Sequence, residues 1–167
     1  MSWKLGSEWI ARALTIGLVL SVSSAHAGGK TAVVDVLTNG TSMLRITIYT
    51  NPDIRYPNLR QFAVIAIAEG VRINSIAFDA ADWSTMMTLW NKAVAAQSAT
   101  WKGVGAFTDT SGADSSTLNL KAGSGVAFVV SSPTKGTVTY VLPRADLNRL
   151  GADLLKVQTS LANKTVE

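Results

Sequence analysis

Cysteine is absent from this chain, and histidine occurs once, at position 26. The first absence excludes disulfides, thiolate zinc sites, iron–sulfur clusters and cysteine nucleophiles. The second excludes any site that needs two imidazoles. Charge is scarce as well: Asp, Glu, Lys and Arg make up 16% of the 167 residues, against 47% hydrophobic. A chain of this kind is neither disordered nor supercharged, and its length is that of one domain. No apolar run is long enough to cross a bilayer as a helix, which takes about 20 residues.

What is present at the start reads as an address. Lys4 and Arg12 form a positive region that Glu8 dilutes, and Ala13 to Val22 is an apolar stretch. Ser23 to Ala27 then supplies small residues, with an A-x-A cleavage site at Ala25-His26-Ala27. This order serves a secretory signal peptide: a short helix for the translocon, then an extended segment that fits a peptidase groove. Residues 1–27 are therefore expected to be a leader, and residues 28–167 one mature domain, periplasmic or secreted. Cleavage removes two basic residues, one acid and the single histidine. The expected mature chain keeps 13 basic and 10 acidic residues, a net charge of +3. So mild an excess permits an anionic partner without demanding one.

Two stretches of the mature chain match at an offset of 64 positions. Phe62–Ile67, a Glu69-Gly70 turn, Val71–Phe78 and Asp79–Trp83 parallel Val126–Ser131, a Pro133–Gly136 turn, Thr137–Leu142 and Pro143–Leu147. Each stretch runs into an amphipathic helix. Trp83, Met86, Trp90, Ala93 and Gln97 form one apolar stripe; Leu147, Leu150, Leu154, Val157 and Leu161 form the other. Asp79 is placed to cap the first helix, with Asp82 in its first turn. Pro143 precedes the second helix, with Asp146 in the matching position. Upstream lie further strand candidates: Thr31–Thr38 and Ser42–Tyr49 around Asn39-Gly40, then Trp101–Thr108 and Thr117–Ala122 around the Asp109–Ser116 loop. The fold expected is α+β, two ββββα repeats over about 31–98 and 101–163. Their antiparallel sheets pack with two amphipathic helices. Phe62–Ile67 and Val126–Val130 are apolar on both faces and should be central strands. Asn51 to Arg60, with two Pro and two Asn, should be a long surface loop. Four strands and a helix, twice, resembles the single-stranded nucleic-acid-binding folds of the whirly and PUR type. The resemblance is one of architecture and carries no site residue across.

Catalysis finds little to work with. The expected mature chain lacks the commonest general base and the best nucleophile. Ser–Lys dyads stay open in principle, with no pair singled out. Asp79 and Asp82 are explained by helix capping. Asp109 and Asp114 bracket a Ser/Thr/Gly loop without the D-x-D-x-D-G spacing of a calcium loop. Gly103-Val104-Gly105 and Gly123-Ser124-Gly125 mark a turn or bulge, since neither opens a helix as a phosphate cradle does. No enzyme, metal or cofactor is expected.

Binding is better provided for. Along Ser42–Tyr49, Leu44, Ile46 and Ile48 point one way while Met43, Arg45, Thr47 and Tyr49 point the other. In Thr117–Ala122, Leu118 and Leu120 point inward while Thr117, Asn119 and Lys121 point outward. Trp101 and Phe107 flank Lys102, and Arg55, Tyr56 and Arg60 lie in the long loop. The candidate binding residues are thus Arg45, Thr47, Tyr49, Arg55, Tyr56, Arg60, Trp101, Lys102, Asn119 and Lys121. Aromatic and basic side chains on a sheet suit a protein or glycan patch, or stacked bases and phosphates. The leading expectation is an exported, non-enzymatic binding or structural protein of the bacterial envelope, acting on a protein partner or by self-association. Its rivals are a single-stranded nucleic-acid binder and a periplasmic carrier of an apolar ligand.

Overall fold

The computed structural model describes residues 31–50, 60–109 and 115–163. The expected leader lies outside the described residues. The strands are β1 (Thr31–Asn39), β2 (Ser42–Thr50), β3 (Gln61–Glu69), β4 (Arg72–Phe78), β5 (Lys102–Thr108), β6 (Thr117–Ala122), β7 (Gly125–Ser132) and β8 (Gly136–Pro143). Helix α1 (Ala80–Ala95) follows β4, and α2 (Leu147–Asn163) follows β8 through a 3-10 turn at Arg144–Asp146. The strands form two four-stranded antiparallel sheets, in the orders β1-β2-β3-β4 and β5-β6-β7-β8. The ββββα order expected from the repeat is present in each half.

Local chemistry accounts for these elements. Gly40 turns the first hairpin with φ 59°, a left-handed conformation that costs a residue without Cβ nothing. Asp79 caps α1, its carboxylate accepting from the Ala81 and Asp82 N–H groups at 2.8 Å each. The stripes fall inward as predicted: Trp83, Met86, Trp90 and Ala93 on α1, and Leu147, Leu150, Leu154, Val157 and Leu161 on α2 are buried. Gln97 lies beyond the end of α1 instead of on its stripe. Its amide donates to Ala93 O at 2.9 Å and to Gly125 O at 3.1 Å, tying the helix end to β7. The likeness of the halves extends further than the 64-residue offset. The first strand of each carries a bulge, between Val33 and Asp35 in β1 and between Gly103 and Gly105 in β5. Such irregularities blunt edge strands, and both strands are edges.

The helices cross over. On α1, Leu89 sits over Gly105 of β5, where a Cβ would fall 2.5 Å from its Cδ2. Trp90 stacks on Phe128 of β7, centroids 6.1 Å apart. The helix of the first half therefore covers the sheet of the second. In return α2 reaches the first sheet: Arg149 pairs with Asp35 of β1, and Gln61 of β3 donates to Ser160 O at 3.3 Å. The helices meet where Trp83 Nε1 donates to Leu154 O at 3.2 Å. One hydrophobic cluster runs through all of this, from Leu37 to Leu161. Each fully buried Phe or Leu in it contributes roughly 1.5–3 kcal/mol relative to exposure.

Polar side chains close the seams between the sheets. Asn39 donates to Val141 O, Arg72 to Thr137 O, and Asn74 to Gly136 O. These bonds satisfy carbonyls along β8, an edge strand that would otherwise present them to a stranger. The carboxylate of Asp109 does the same for β4, accepting from Ala77 N–H at 3.1 Å.

A candidate binding face on the second sheet

The two sheets treat their outer faces differently. On the first sheet Arg45, Thr47 and Tyr49 point away from the main core, as alternation predicts. Across the register they face Ala66, Val64 and Phe62 of β3. Phe62, Val64 and Ala77 form a second buried cluster, with Tyr49 packed against it. Tyr49 stacks on Phe62 with centroids 5.2 Å apart and an interplanar angle of 11°. Thr47 is only 3% exposed. Its hydroxyl accepts from Arg45 Nε at 3.1 Å. This face is therefore packed with apolar side chains, and its polar groups engage one another.

The outer face of the second sheet is built of small residues. Register places Gly103 and Ala127 on either side of Lys121, and Ala106 and Val129 on either side of Asn119. With so little bulk beside them, β5 and β6 floor an open groove of about 620 Å³. Gly103–Ala106, Asn119, Leu120, Lys121 and Val129 line it. Above Gly103 there is nothing within 4 Å of where a Cβ would stand. At one end lies Trp101, 41% exposed. A methyl built on Gly123 would fall 2.6 Å from Cε3 and 2.8 Å from Cε2 of the indole, at the fusion of its two rings. The ring thus lies flat on Gly123, with its other face turned outward. At the opposite end Thr108, Thr117, Ser131 and Thr137 make a row of hydroxyls across all four strands. They bond in pairs, Thr108 with Thr117 and Ser131 with Thr137, each at 3.0 Å.

The electrostatics of this face are simple. The four strands of the second sheet contain no Asp, Glu or Arg and two lysines. Lys121 is exposed and forms no ion pair among the described residues. Neither the Asn119 amide nor the Trp101 indole N–H has a hydrogen-bond partner there. The structure thus gathers three of the ten candidate residues, Trp101, Asn119 and Lys121. Lys102 is exposed at the start of β5, where alternation turns it to the opposite side. Arg60 is exposed just before β3, and Arg55 and Tyr56 lie outside the described residues. Sequence reasoning missed Gly103, Ala106 and Val129, whose part is to be small. The one signal was the Gly103-Val104-Gly105 spacing, which is indeed a bulge.

Other polar clusters are accounted for structurally. Asp79 caps a helix and Asp109 covers a strand edge. Burial, then the charges of Asp79 and Asp109, raise the pKa of Asp82 above its ordinary value. Ser132-Pro133-Thr134-Lys135 has S-x-x-K spacing but forms the β7–β8 turn. There the Ser132 hydroxyl accepts from the Thr134 and Lys135 N–H groups at 3.3 and 3.2 Å. Among the described residues no three His, Cys, Asp or Glu side chains are grouped to hold a metal ion. No described helix is long and apolar enough to cross a membrane.

No family model, curated protein or solved structure matches this chain. The resemblance to whirly and PUR-type folds therefore stays one of element order.

Proposed function

We propose that this chain is an exported, non-enzymatic binding protein that takes its ligand on the outer face of the second sheet. One observation carries the reading: Asn119 and Lys121 line, and Trp101 flanks, an open groove floored by Gly103–Ala106, Leu120 and Val129, and none of the three side chains has a hydrogen-bond partner among the described residues. On the first sheet the polar side chains of the outer face engage one another, as Arg45 and Thr47 do. Those around this groove are aimed at solvent or a ligand. The nucleic-acid alternative is weaker for the same reason, because Tyr49 packs on Phe62 and Arg45 bonds Thr47. Export is supported by the leader pattern of residues 1–27.

A protein-observed NMR screen with several hundred small neutral and anionic fragments tests the binding face. Hits should cluster on the Gly103, Asn119 and Lys121 amides and on the Trp101 indole. Gly103→Leu, which fills the groove, should abolish them. Hits scattered over the surface, or none, sink the reading. Export has its own check: expressed with its leader in a Gram-negative host, the protein recovered from the periplasm should begin at Gly28.

A further inference from the structure

We infer that the groove holds a stretch of anionic glycan, with one sugar ring stacked on Trp101 and a carboxylate paired with Lys121. The inference rests on the binding face proposed above and names its ligand class. The observation behind it is a linear arrangement along β6. Thr117, Asn119 and Lys121 occupy successive outward positions, and Gly123, beneath the Trp101 ring, occupies the next. Outward positions on a strand recur every two residues, roughly 6.8 Å apart, so this stripe is about 20 Å long. A ligand lying along β6 meets a hydroxyl, an amide, an ammonium group and an indole face, in that order.

Those four groups discriminate between ligand classes. The Asn119 amide both donates and accepts, and Thr117 keeps hydrogen-bonding capacity beyond its bond to Thr108. Vicinal sugar hydroxyls also do both. The electron-rich face of an indole attracts the partly positive C–H bonds on the flat side of a pyranose. Single-stranded nucleic acid asks for something else: several aromatic platforms for successive bases and a positive groove along the backbone. Among the described residues this face offers one ring, one ammonium group and no arginine. The ligand should nonetheless be acidic. Lys121 has no ion-pair partner among the described residues, and the strands of this sheet supply no carboxylate to neutralise it.

The test compares three probes by NMR titration of the purified protein: tri-galacturonic acid, its methyl ester and a thymidine oligonucleotide. The acid trimer should shift the Asn119 and Lys121 amides and the Trp101 indole resonance. The ester, which lacks the charge, should bind roughly tenfold more weakly or worse, the loss of one charge-assisted hydrogen bond. Lys121→Gln should erase the difference between acid and ester, and Gly103→Leu should block both. Lys121 is exposed and a Cβ at Gly103 meets nothing, and an unchanged spectrum away from the groove must confirm that each variant is folded before its binding is read. Equal affinity for acid and ester overturns the inference. So does tighter binding of the oligonucleotide through the same residues. If the acid trimer shifts nothing here, the glycan inference fails alone where fragments still cluster on the face. It falls together with the binding reading where they do not.

Discussion

Arg149 on α2 lies 2.7 Å from Asp35 on β1, so a residue of the last helix holds the first strand. The Asp35 side chain is 8% exposed and the Arg149 side chain 57%. The same carboxylate oxygen accepts from Val36 N–H at 2.8 Å, while the other is buried with no partner among the described residues. Removing Arg149 leaves a nearly buried carboxylate half-satisfied. Solvent around the exposed guanidinium limits the loss, so Arg149→Ala should destabilise by about 1–2 kcal/mol rather than the full cost of breaking a buried pair. A double-mutant cycle with Asp35→Asn, read by urea unfolding, checks this. Coupling under about 0.5 kcal/mol would mean that the pair does not hold the two halves together.

Asp82 gives a pH prediction. Burial, then the neighbouring charges of Asp79 and Asp109, raise its pKa above the ordinary value. A carboxyl whose pKa is raised on folding is better accommodated protonated. Its contribution to stability is present in acid and is lost as pH rises through the folded pKa. Asp82→Asn should therefore gain on the native protein as pH rises from below the ordinary aspartate range to neutrality. Thermal unfolding of both proteins across that range provides the measurement. A gap that is constant with pH, or that moves in the native protein's favour as pH rises, contradicts the assignment.

Trp101 and the two glycines near it separate packing from open space. In Gly123→Ala the new methyl strikes the indole, which must swing away from the sheet. The cost should be about 1–2 kcal/mol, at the lower end for overpacking because the ring is already half exposed. Trp101 should become more exposed, giving a red shift in tryptophan emission. Gly103→Ala meets nothing and should stay within about 0.5 kcal/mol of the native protein. If the two substitutions cost the same, the indole does not lie on Gly123.

The elements of this fold were legible because their signals are local. Alternation marked β2 and β6, and spacings of three and four marked both helix stripes. A run apolar on both faces placed β3 and β7 inside their sheets. Legibility stopped where residues far apart in sequence must meet. No local pattern says that Leu89 covers Gly105, and hence that each helix crosses to the other half's sheet. The outer face of the first sheet was half legible. Arg45, Thr47 and Tyr49 were correctly placed on one side of β2. Only the register opposite Phe62 and Val64 reveals that this side is apolar. At the proposed binding face, Lys121 and Asn119 announced themselves by type. The space in front of them is made by residues that are merely small, and smallness carries no chemical flag.

Asn74 supplies the sharpest test of how the sheets are joined. It is 2% exposed on β4, and its amide nitrogen donates to Val130 O at 3.2 Å and to Gly136 O at 2.8 Å. The amide oxygen is buried without a partner among the described residues. The side chain thus works as a two-pronged donor into the β7–β8 hairpin. Asn74→Asp keeps the shape but replaces both donors with an acceptor that faces two carbonyls. A carboxylate buried there is either unpaired or protonated, so the substitution should cost more than about 3 kcal/mol near neutral pH. Much of that should return in acid, where the carboxyl is neutral and can donate one bond. Asn74→Leu loses the same donors without burying a charge and should cost less, about 1–3 kcal/mol, with little dependence on pH. Urea unfolding of both variants at neutral and acidic pH distinguishes them. Equal losses with no pH dependence would show that the amide does not bridge the two sheets.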